Sequence, residues 1–476
     1  MVHLPNLRWR RLLGQEVITE PLPVISRLRN TPYRDPRRGV SEDDTRSALA
    51  LVADIGEALM RSGAGTEEVS TSMLAAGVSL GLDEDYLWSD IMLGSIFVSY
   101  GRPGEWPLTT LRVTRHPYRD YARLSATHDM VLRLCDGELS IEQTRAELAH
   151  IESAPRPYKR WWVTVAFGVL ASAVVLVLGG GPVVSGTAFV VTCLVDQVGR
   201  WAGRRGWPSF FVTFTGASLA ATSAVALAEA SQRWPIGIDS PQNSSLVIAG
   251  GIIVLLAGVG LVAAGQDGIN GYPVTAIGRL FEVMLTTSAI LAGVGSVLAI
   301  ASSFSLAGTI FTNPLAGFVS GLLWWSPMLA AVGAICSAIG GRSPARLLFV
   351  TGLTGAFGYA VYLLSIAVGL PNAVGAALAC VLIGAFGRVS ALRRRASPLA
   401  VVIPATTMLL PGMSIFQGLQ YLTSGDSAAG IVTLLSAAAT ALGIGAGCVV
   451  GDLLAAPLEA GMTNLEEIRQ RTRQDM

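Results

Sequence analysis

Long apolar stretches follow one another almost without interruption from Trp161 to Leu454. An α-helix needs about 20 residues to cross a hydrocarbon core of ~30 Å, and each stretch is close to that length. The pattern therefore predicts a mainly α-helical, polytopic membrane bundle with ten spans. Their expected limits are 161–178, 182–199, 208–228, 245–264, 279–302, 314–339, 345–369, 372–388, 398–421 and 428–454.

The residues before Trp161 have a different pattern. Residues 1–40 contain five prolines among scattered arginines, a composition that predicts a disordered tail. After them the pattern predicts an α+β domain with the order α-α-β-β-α-α. Its helices are expected near 41–61, 66–81, 118–135 and 140–151, and its two paired strands within 86–100 and 108–115.

The chain thus divides into five parts. We expect a disordered tail at 1–40, a cytoplasmic α+β domain at 41–155, a first membrane half of five helices at 156–310, a second membrane half of five helices at 311–460, and a cytoplasmic tail at 461–476. Short loops rich in Arg and Lys stay in the cytoplasm. Basic residues are concentrated in the loops after the second, sixth and eighth spans, so these loops and both termini are expected to be cytoplasmic.

Composition narrows the possible functions. The mean hydropathy is +0.53 and only 14% of residues are charged, which indicates a protein buried in a lipid bilayer. A formal net charge of +1, with dispersed basic residues, argues against nucleic-acid binding. The five cysteines show no CxxC spacing, so we expect no metal site, no disulfide framework and no cofactor.

Two segments of the membrane region resemble each other. Residues 254–271 and 401–418 are both apolar segments with an interruption, and each precedes a long apolar helix. They are five spans apart, and an odd shift implies an inverted-topology repeat of the kind found in secondary transporters. A competing similarity between Gly199-Arg200 and Gly387-Arg388 implies a shift of six spans and parallel repeats. We favour the inverted repeat because its match includes a distinctive interruption.

These interruptions are candidate binding sites. Pro411-Gly412 lies midway along the ninth span, where proline removes a backbone donor and frees a carbonyl group. The matching place in the fourth span is the Gly-Gln-Asp-Gly segment at 265–268. Asn270 and Gln417 are further polar residues of the two similar segments. A simple proline kink at Pro411 is the alternative interpretation.

Carboxylates inside or near the spans are further candidates, because ionised groups are costly in a membrane. Asp196 has Arg200 one helical turn away, and Glu282 has Arg279 nearby, whereas Asp267 has no obvious local cation. No histidine lies in a predicted span, so proton coupling would use a carboxylate or bound water. The predicted substrate-binding or coupling residues are Asp196, Asp267, Asn270, Glu282, Pro411, Gly412 and Gln417.

The N-terminal domain offers an alternative function. Residues 77–81 have the letters of a nucleophile elbow, with His116, His128 and Asp129 as conceivable partners of Ser79. An elbow joins a strand to a helix, whereas Ser79 closes a predicted helix. The sequence also contains no HExxH motif and no phosphate-binding glycine loop. We therefore expect no enzyme, and keep a membrane-anchored hydrolase or a sensor acting through this domain as the alternative.

Several motifs together resemble the threonine/serine exporter family. They are Ser-Gly-Ala-Gly-Thr-Glu-Glu-Val at 62–69, Leu-Gly at 80–81, Phe-Val-Ser at 97–99, Leu-Ser-Ile-Glu-Gln at 139–143 and Leu-Leu-Pro-Gly at 409–412. The resemblance implies a ten-span carrier of the bacterial inner membrane with a cytoplasmic N-terminal domain. It further implies that the carrier exports threonine and serine and uses the proton motive force. One departure is the segment 263–268, which lacks a proline where the second half has Leu-Leu-Pro-Gly.

Overall fold

The computed structural model describes residues 42–92, 94–102, 104, 106–114, 119–233, 241–255, 258–304, 325–423 and 425–474. Within these residues the protein is mainly helical, with one three-stranded sheet near the N-terminus. The tail expected at 1–40 and the candidate His116 lie outside the described residues.

The N-terminal unit, here called the head, comprises residues 42–153. Its helices are α1 (Glu42–Ser62), α2 (Thr66–Ser79), α3 (Tyr121–Cys135) and α4 (Ile141–Ser153). Helix α1 lies at the centre of the head, and the spacing of Leu49, Val52 and Ile55 places all three on a fully buried face. Helix α4 begins with a capping box between Ser140 and Gln143, in agreement with the helix that the sequence predicted near 140–151.

An antiparallel sheet packs against α1. Its strands are β1 (Leu87–Met92), β2 (Ser95–Tyr100) and β3 (Leu108–Val113), in the order β1-β2-β3. The prediction of a single strand over 86–100 is wrong, because the chain reverses at Gly94, which has a φ of +99°. A Cβ at this position would also lie only 2.9 Å from the Thr114 carbonyl oxygen. Glycine therefore permits a tight hairpin that divides the stretch into two strands.

Helices form the rest of the described chain. They are α5 (Arg160–Val177), α6 (Pro182–Arg204), α7 (Ser209–Arg233), α8 (Pro241–Ile252), α9 (Gly258–Ile269), α10 (Pro273–Ser303), α11 (Ser326–Gly340), α12 (Ala345–Ala367), α13 (Asn372–Arg393), α14 (Leu399–Ala405), α15 (Gly412–Thr423) and α16 (Ser427–Gln474). Seven helices of the described part are long and apolar enough to cross a membrane, which confirms a polytopic membrane protein. They are α5, α6, α7, α10, α12, α13 and α16, and they correspond to the predicted spans one, two, three, five, seven, eight and ten.

The other three predicted spans do not correspond to single long helices in the described part of the chain. The fourth consists of two short helices, α8 and α9, and the ninth consists of α14, a 3-10 turn (Thr407–Leu409) and α15. The sixth is represented by α11, since residues 305–324 lie outside the described part. The total of ten spans therefore stays a prediction.

The two interrupted segments meet at their breaks. Residues 253–257 separate α8 from α9, and residues 406–411 separate α14 from α15. Gly258 packs against Leu410, and a Cβ added to Gly258 would lie 3.1 Å from the Leu410 Cβ. Pro411 interrupts the ninth segment, as expected for a proline. The prediction of an interruption at 265–268 is wrong, because these residues lie within α9. The break lies beside Gly258 instead, where the absence of a side chain lets Leu410 pack closely.

Helices α13 and α16 pack closely along a row of glycines. Gly443, Gly447 and Gly451 recur every four residues on α16 and face the backbone of α13. A Cβ on Gly447 would collide with the Ala377 carbonyl oxygen. Small residues allow helices in lipid to approach closely and gain dispersion contacts, so these glycines set the distance between the two helices.

An apolar core joins the head to the second membrane half. Leu347 of α12 and Val401 of α14 are buried in the same cluster as the core side chains of the head. At the edge of this cluster, Arg342 Nη1 lies 3.3 Å from Asp120 Oδ2 at the start of α3. Because apolar burial contributes about 25 cal/mol per Å², this shared core holds the head firmly to α12 and α14.

Polar groups form the contact between the head and the first membrane half. Thr275 of α10 donates a hydrogen bond of 3.2 Å from its hydroxyl to the Ile91 carbonyl oxygen. Tyr272, which precedes α10, lies beside the Ser70 side chain of α2. Hydrogen bonds of this type contribute only about 0.5–1.5 kcal/mol each, since water replaces them when the surfaces separate. This side of the head is therefore the more easily detached one.

Candidate functional site

A cavity of ≈ 210 Å³ lies where the head meets the membrane helices. About 10–15 Å³ of such volume holds one water molecule, so the cavity has room for a small organic molecule. Helices α2 and α3 line it from the head, and α9, α10, α13, α14 and α16 line it from both membrane halves. Its polar lining comprises Thr66, Glu67, Glu68, Thr71, His128, Gln266, Asp267, Asn270, Arg279, Arg388 and Asp452.

Two ion pairs between neighbouring helices line this cavity. Asp267 of α9 is 4% exposed, and its Oδ2 lies 3.0 Å from Arg279 Nε on α10. Arg388 of α13 is also buried and pairs with Asp452 of α16. A buried charge is costly once its partner is removed, so each pair fixes the relative position of its two helices.

Two more carboxylates enter the cavity from the first turn of α2. Glu67 and Glu68 lie where the helix dipole favours negative charge. In the described part of the chain neither forms an ion pair with an arginine, and His128 Nδ1 lies 3.6 Å from Glu68 Oε1. Burial raises the pKa of Glu68 to about 7, although the nearby Ser397 hydroxyl opposes the shift. Burial, reinforced by Asp452, also raises the pKa of Glu67, although Arg388 opposes the shift.

Some buried polar atoms at this site lack well-aligned partners among the described residues. They include the Thr66 hydroxyl and both carboxylate oxygens of Glu68. Thr66 lies beside Asp267 and is only 2% exposed. Helix α2 begins after Gly65, which has no side chain to cap the first amides. Buried polar groups are normally hydrogen-bonded, so this arrangement favours a polar ligand in the cavity.

The structure places two of the predicted site residues, Asp267 and Asn270, at this cavity. The prediction that Asp267 has no nearby cation is wrong, because the turn between α9 and α10 brings Arg279 beside it. Arg279 is therefore directed to Asp267, while Glu282 lies on an exposed face of α10.

The remaining predicted residues are not gathered in the cavity. Pro411 and Gly412 are buried at the break before α15, and Gln417 is half-buried on that helix. Asp196 pairs with Arg200, as the sequence predicted, and accepts a hydrogen bond of 2.8 Å from Thr164 of α5. Asp196 thus connects α5 to α6 at a separate place.

Ser79 has a structural role. It lies at the end of α2, is 2% exposed, and its hydroxyl donates a hydrogen bond of 2.7 Å to the Ala75 carbonyl oxygen. A nucleophile elbow needs a strand before the serine, whereas Ser79 follows a helix. The match of residues 77–81 to the nucleophile-elbow motif therefore does not indicate a hydrolase site.

Sequence analysis did not select several residues of the cavity lining, among them Thr66, Glu67, Glu68 and Arg388. Acidic residues are common in the first turn of a helix, and Arg388 borders a basic loop, so neither stands out in the sequence. The sequence did contain one indication that the first three residues matter, because Thr66-Glu67-Glu68 belongs to a motif that resembles the threonine/serine exporter family. Its proximity to Asp267 and Asp452 depends on long-range packing, which periodicity does not specify.

A polytopic helical bundle with two interrupted helices and a polar cavity at the end of the bundle is typical of a membrane transporter. The family model described as "Putative threonine/serine exporter" matches residues 50–301, and that described as "Threonine/Serine exporter, ThrE" matches residues 327–454. The chain belongs to the threonine/serine exporter family. The resemblance seen in the sequence motifs is thereby confirmed, and the protein is a transporter rather than an enzyme.

Curated relatives cover most of the chain. A probable threonine/serine exporter of Mycobacterium tuberculosis is 28% identical over 463 residues, which cover 94% of this chain and 83% of that protein. The threonine/serine exporter of Corynebacterium glutamicum is 29% identical over 417 residues, or 86% of this chain and 82% of that protein. No solved structure matches the chain.

Proposed function

We propose that this chain exports threonine and serine across a bacterial inner membrane and that the amino acid enters through the cavity beneath the head. The observation that carries the proposal is the cavity itself, which combines the size of a small solute with side chains of both charges. The names of the two relatives support the choice of substrate.

An amino acid at neutral pH carries both an ammonium and a carboxylate group. Arg279 and Arg388 provide guanidinium donors for a carboxylate, and charge-assisted hydrogen bonds of this kind are strong. Asp267 and the acidic residues of α2 provide acceptors for an ammonium group. Asn270 can donate to, or accept from, the hydroxyl of threonine or serine.

The break beside Pro411 and Gly412 is proposed as the position that the substrate occupies next, after the cavity. Helix α14 lines the cavity and ends close to this break. Helices α9 and α15 both begin at the two breaks, and helix N-termini favour negatively charged groups such as a carboxylate. Backbone carbonyls freed at the break, with Gln417 on α15, would provide further polar contacts.

Transport is proposed to use an inverted repeat of five plus five spans with both termini in the cytoplasm. The apolar core that the head shares with α12 and α14 supports a movement of the head together with the second membrane half. The polar contacts at Thr275 and Tyr272 would then separate and open the cavity to the cytoplasm. The buried carboxylates of the cavity support coupling to the proton motive force, because a carboxylate can exchange a proton as the substrate leaves.

Threonine efflux from cells loaded with a threonine dipeptide tests this function. Deletion of the gene should cause intracellular threonine to accumulate, expression of the chain should reverse it, and collapse of the proton gradient should abolish the reversal. Asp267→Asn should lower efflux by about tenfold or more, because it removes the buried carboxylate that pairs with the half-buried Arg279 and lines the cavity. Pro411→Ala should also impair efflux, because it allows the ninth segment to form a continuous helix.

Matched controls lie outside the cavity. Asp54→Asn removes another aspartate that pairs with an arginine, Arg112 of β3, and Pro371→Ala removes an exposed proline before α13. Both should retain efflux. Wild-type efflux by both Asp267→Asn and Pro411→Ala would remove the proposed sites, and failure of the intact chain to reverse threonine accumulation would contradict the proposed function.

A further inference from the structure

The charged groups around the cavity do not cancel. Arg279 and Arg388 each form an ion pair with an aspartate, whereas Glu67 and Glu68 of the head form no ion pair with an arginine or lysine within the described residues. Arg388 acts on Glu67 from beyond ion-pair distance, and the His128 imidazole lies 3.6 Å from the Glu68 carboxylate. With both glutamates ionised, the cavity holds an excess of negative charge. A small cationic group is the ligand chemistry that would balance it.

Glu68 is the best placed of these carboxylates to bind such a group. Its side chain is 15% exposed, and unlike Glu67 it has both carboxylate oxygens buried without a well-aligned hydrogen bond. Asp267 already contacts Arg279. Charge-assisted hydrogen bonds gain strength where water is excluded, so a cation would gain more at Glu68 than at an exposed acid.

We propose that Glu68 binds the ammonium group of the transported amino acid, so that the soluble head supplies a substrate-binding residue. This proposal rests on the proposed export of an amino acid through the cavity. The position of Glu68 follows from the start of α2 at Thr66 and from the apolar core that holds the head against α14. Burial raises the pKa of Glu68, as expected for a carboxylate that is removed from water and has no ion pair with an arginine or lysine among the described residues.

Equilibrium binding of threonine and of 3-hydroxybutyrate to the purified full-length protein tests the proposal. 3-Hydroxybutyrate keeps the hydroxyl and carboxylate of threonine but lacks the ammonium group. Glu68→Gln should weaken threonine binding about tenfold or more, since hydrogen bonds to charged groups are the strong ones. Its affinity for 3-hydroxybutyrate should stay equal to that of the wild type or increase. Glu68→Asp, which keeps the charge, should retain part of the preference for threonine.

Two variants serve as comparisons. Glu142→Gln removes a glutamate from the first turn of α4, which gives it the same helix-dipole position outside the cavity, and should leave both affinities unchanged. Glu67→Gln should affect threonine binding less than Glu68→Gln. An equal loss in Glu68→Asp and Glu68→Gln, a larger loss in Glu67→Gln, or unchanged threonine binding by Glu68→Gln would overturn the assignment. Absence of threonine binding by the wild type would instead remove the proposed function and this inference with it.

The pH dependence of binding gives a second readout that a merely structural role would not produce. Glu68 binds an ammonium group only when ionised, and its pKa is about 7. The affinity for threonine should therefore rise by up to about tenfold per pH unit below this value and level off above it, and Glu68→Gln should flatten the profile. A profile unchanged by Glu68→Gln would contradict the proposal. The other titratable or charged groups facing Glu68 across the cavity are Glu67, His128, Asp267, Arg279, Arg388 and Asp452.

Discussion

A covalent bridge between Ser70 and Tyr272 is expected to stop threonine export. Ser70 lies on α2 of the head, and Tyr272 immediately precedes α10 of the first membrane half. The account requires this polar contact to separate in each transport cycle. Cysteines at both positions, in a variant without the five native cysteines, should export normally until a short bismaleimide joins them, after which efflux should fall to the level of cells that lack the chain.

A second bridge, from the same region of the head to the other membrane half, is the control. Gly65 precedes α2 by one residue, and a Cβ there would lie 3.6 Å from Leu399 Cδ1 on α14. Gly65 has a φ of −71°, which cysteine adopts without strain. Gly65 and Leu399 both border the cavity, so this bridge should be a direct disulfide, which adds no linker to the cavity. Because the head is proposed to move together with α14, a disulfide between cysteines at 65 and 399 should be tolerated. Equal arrest by both bridges, or by neither, would contradict the proposed movement.

Replacing Gly447 by leucine is expected to destabilise the membrane domain severely. The new side chain would start against the Ala377 carbonyl oxygen and force α16 away from α13. Overpacking of a well-packed contact typically costs about 1–3 kcal/mol, and backbone atoms cannot move aside as a side chain can. The melting temperature in detergent and the yield of membrane-inserted protein should both decrease sharply.

Gly295→Leu is the matched control for this effect. Gly295 lies in α10, and nothing lies within 4 Å of a Cβ added there. The substitution should leave the melting temperature unchanged within a few degrees or raise it, since leucine favours a helix more than glycine does. Similar melting temperatures for Gly447→Leu and Gly295→Leu would show that the glycine row does not set the distance between α13 and α16.

Much of the helical architecture is predictable from local patterns. Apolar length predicts the seven long helices, Pro411 predicts the interruption of the ninth segment, and Ser140 predicts the start of α4. These features depend on residues close together in the chain. The division of 86–100 into two strands was also available locally, because Gly94 is the residue type that a tight reversal needs.

The composition of the cavity was less predictable, since its groups come from distant segments. Asp267 was selected for lacking a cation, but a short turn between two helices brings Arg279 to it. Glu68 is an ordinary helix-capping acid when only its neighbours in sequence are considered. Its unusual environment arises from the packing of α2 against helices that lie about two hundred or more residues later in the chain. Sequence periodicity predicts which face of a helix is buried, but not which charged groups will face each other.

The central claim is that the amino acid occupies the cavity between the head and the membrane helices. Its most direct test is the rate at which a small charged thiol reagent modifies a cysteine at Asn270, which lines the cavity, in a variant without the native cysteines. Threonine and serine should slow this reaction, leucine should not, and a cysteine at the exposed Glu138 of the head should react at one rate throughout. Equal modification of the cysteine at position 270 with and without saturating threonine would contradict the account.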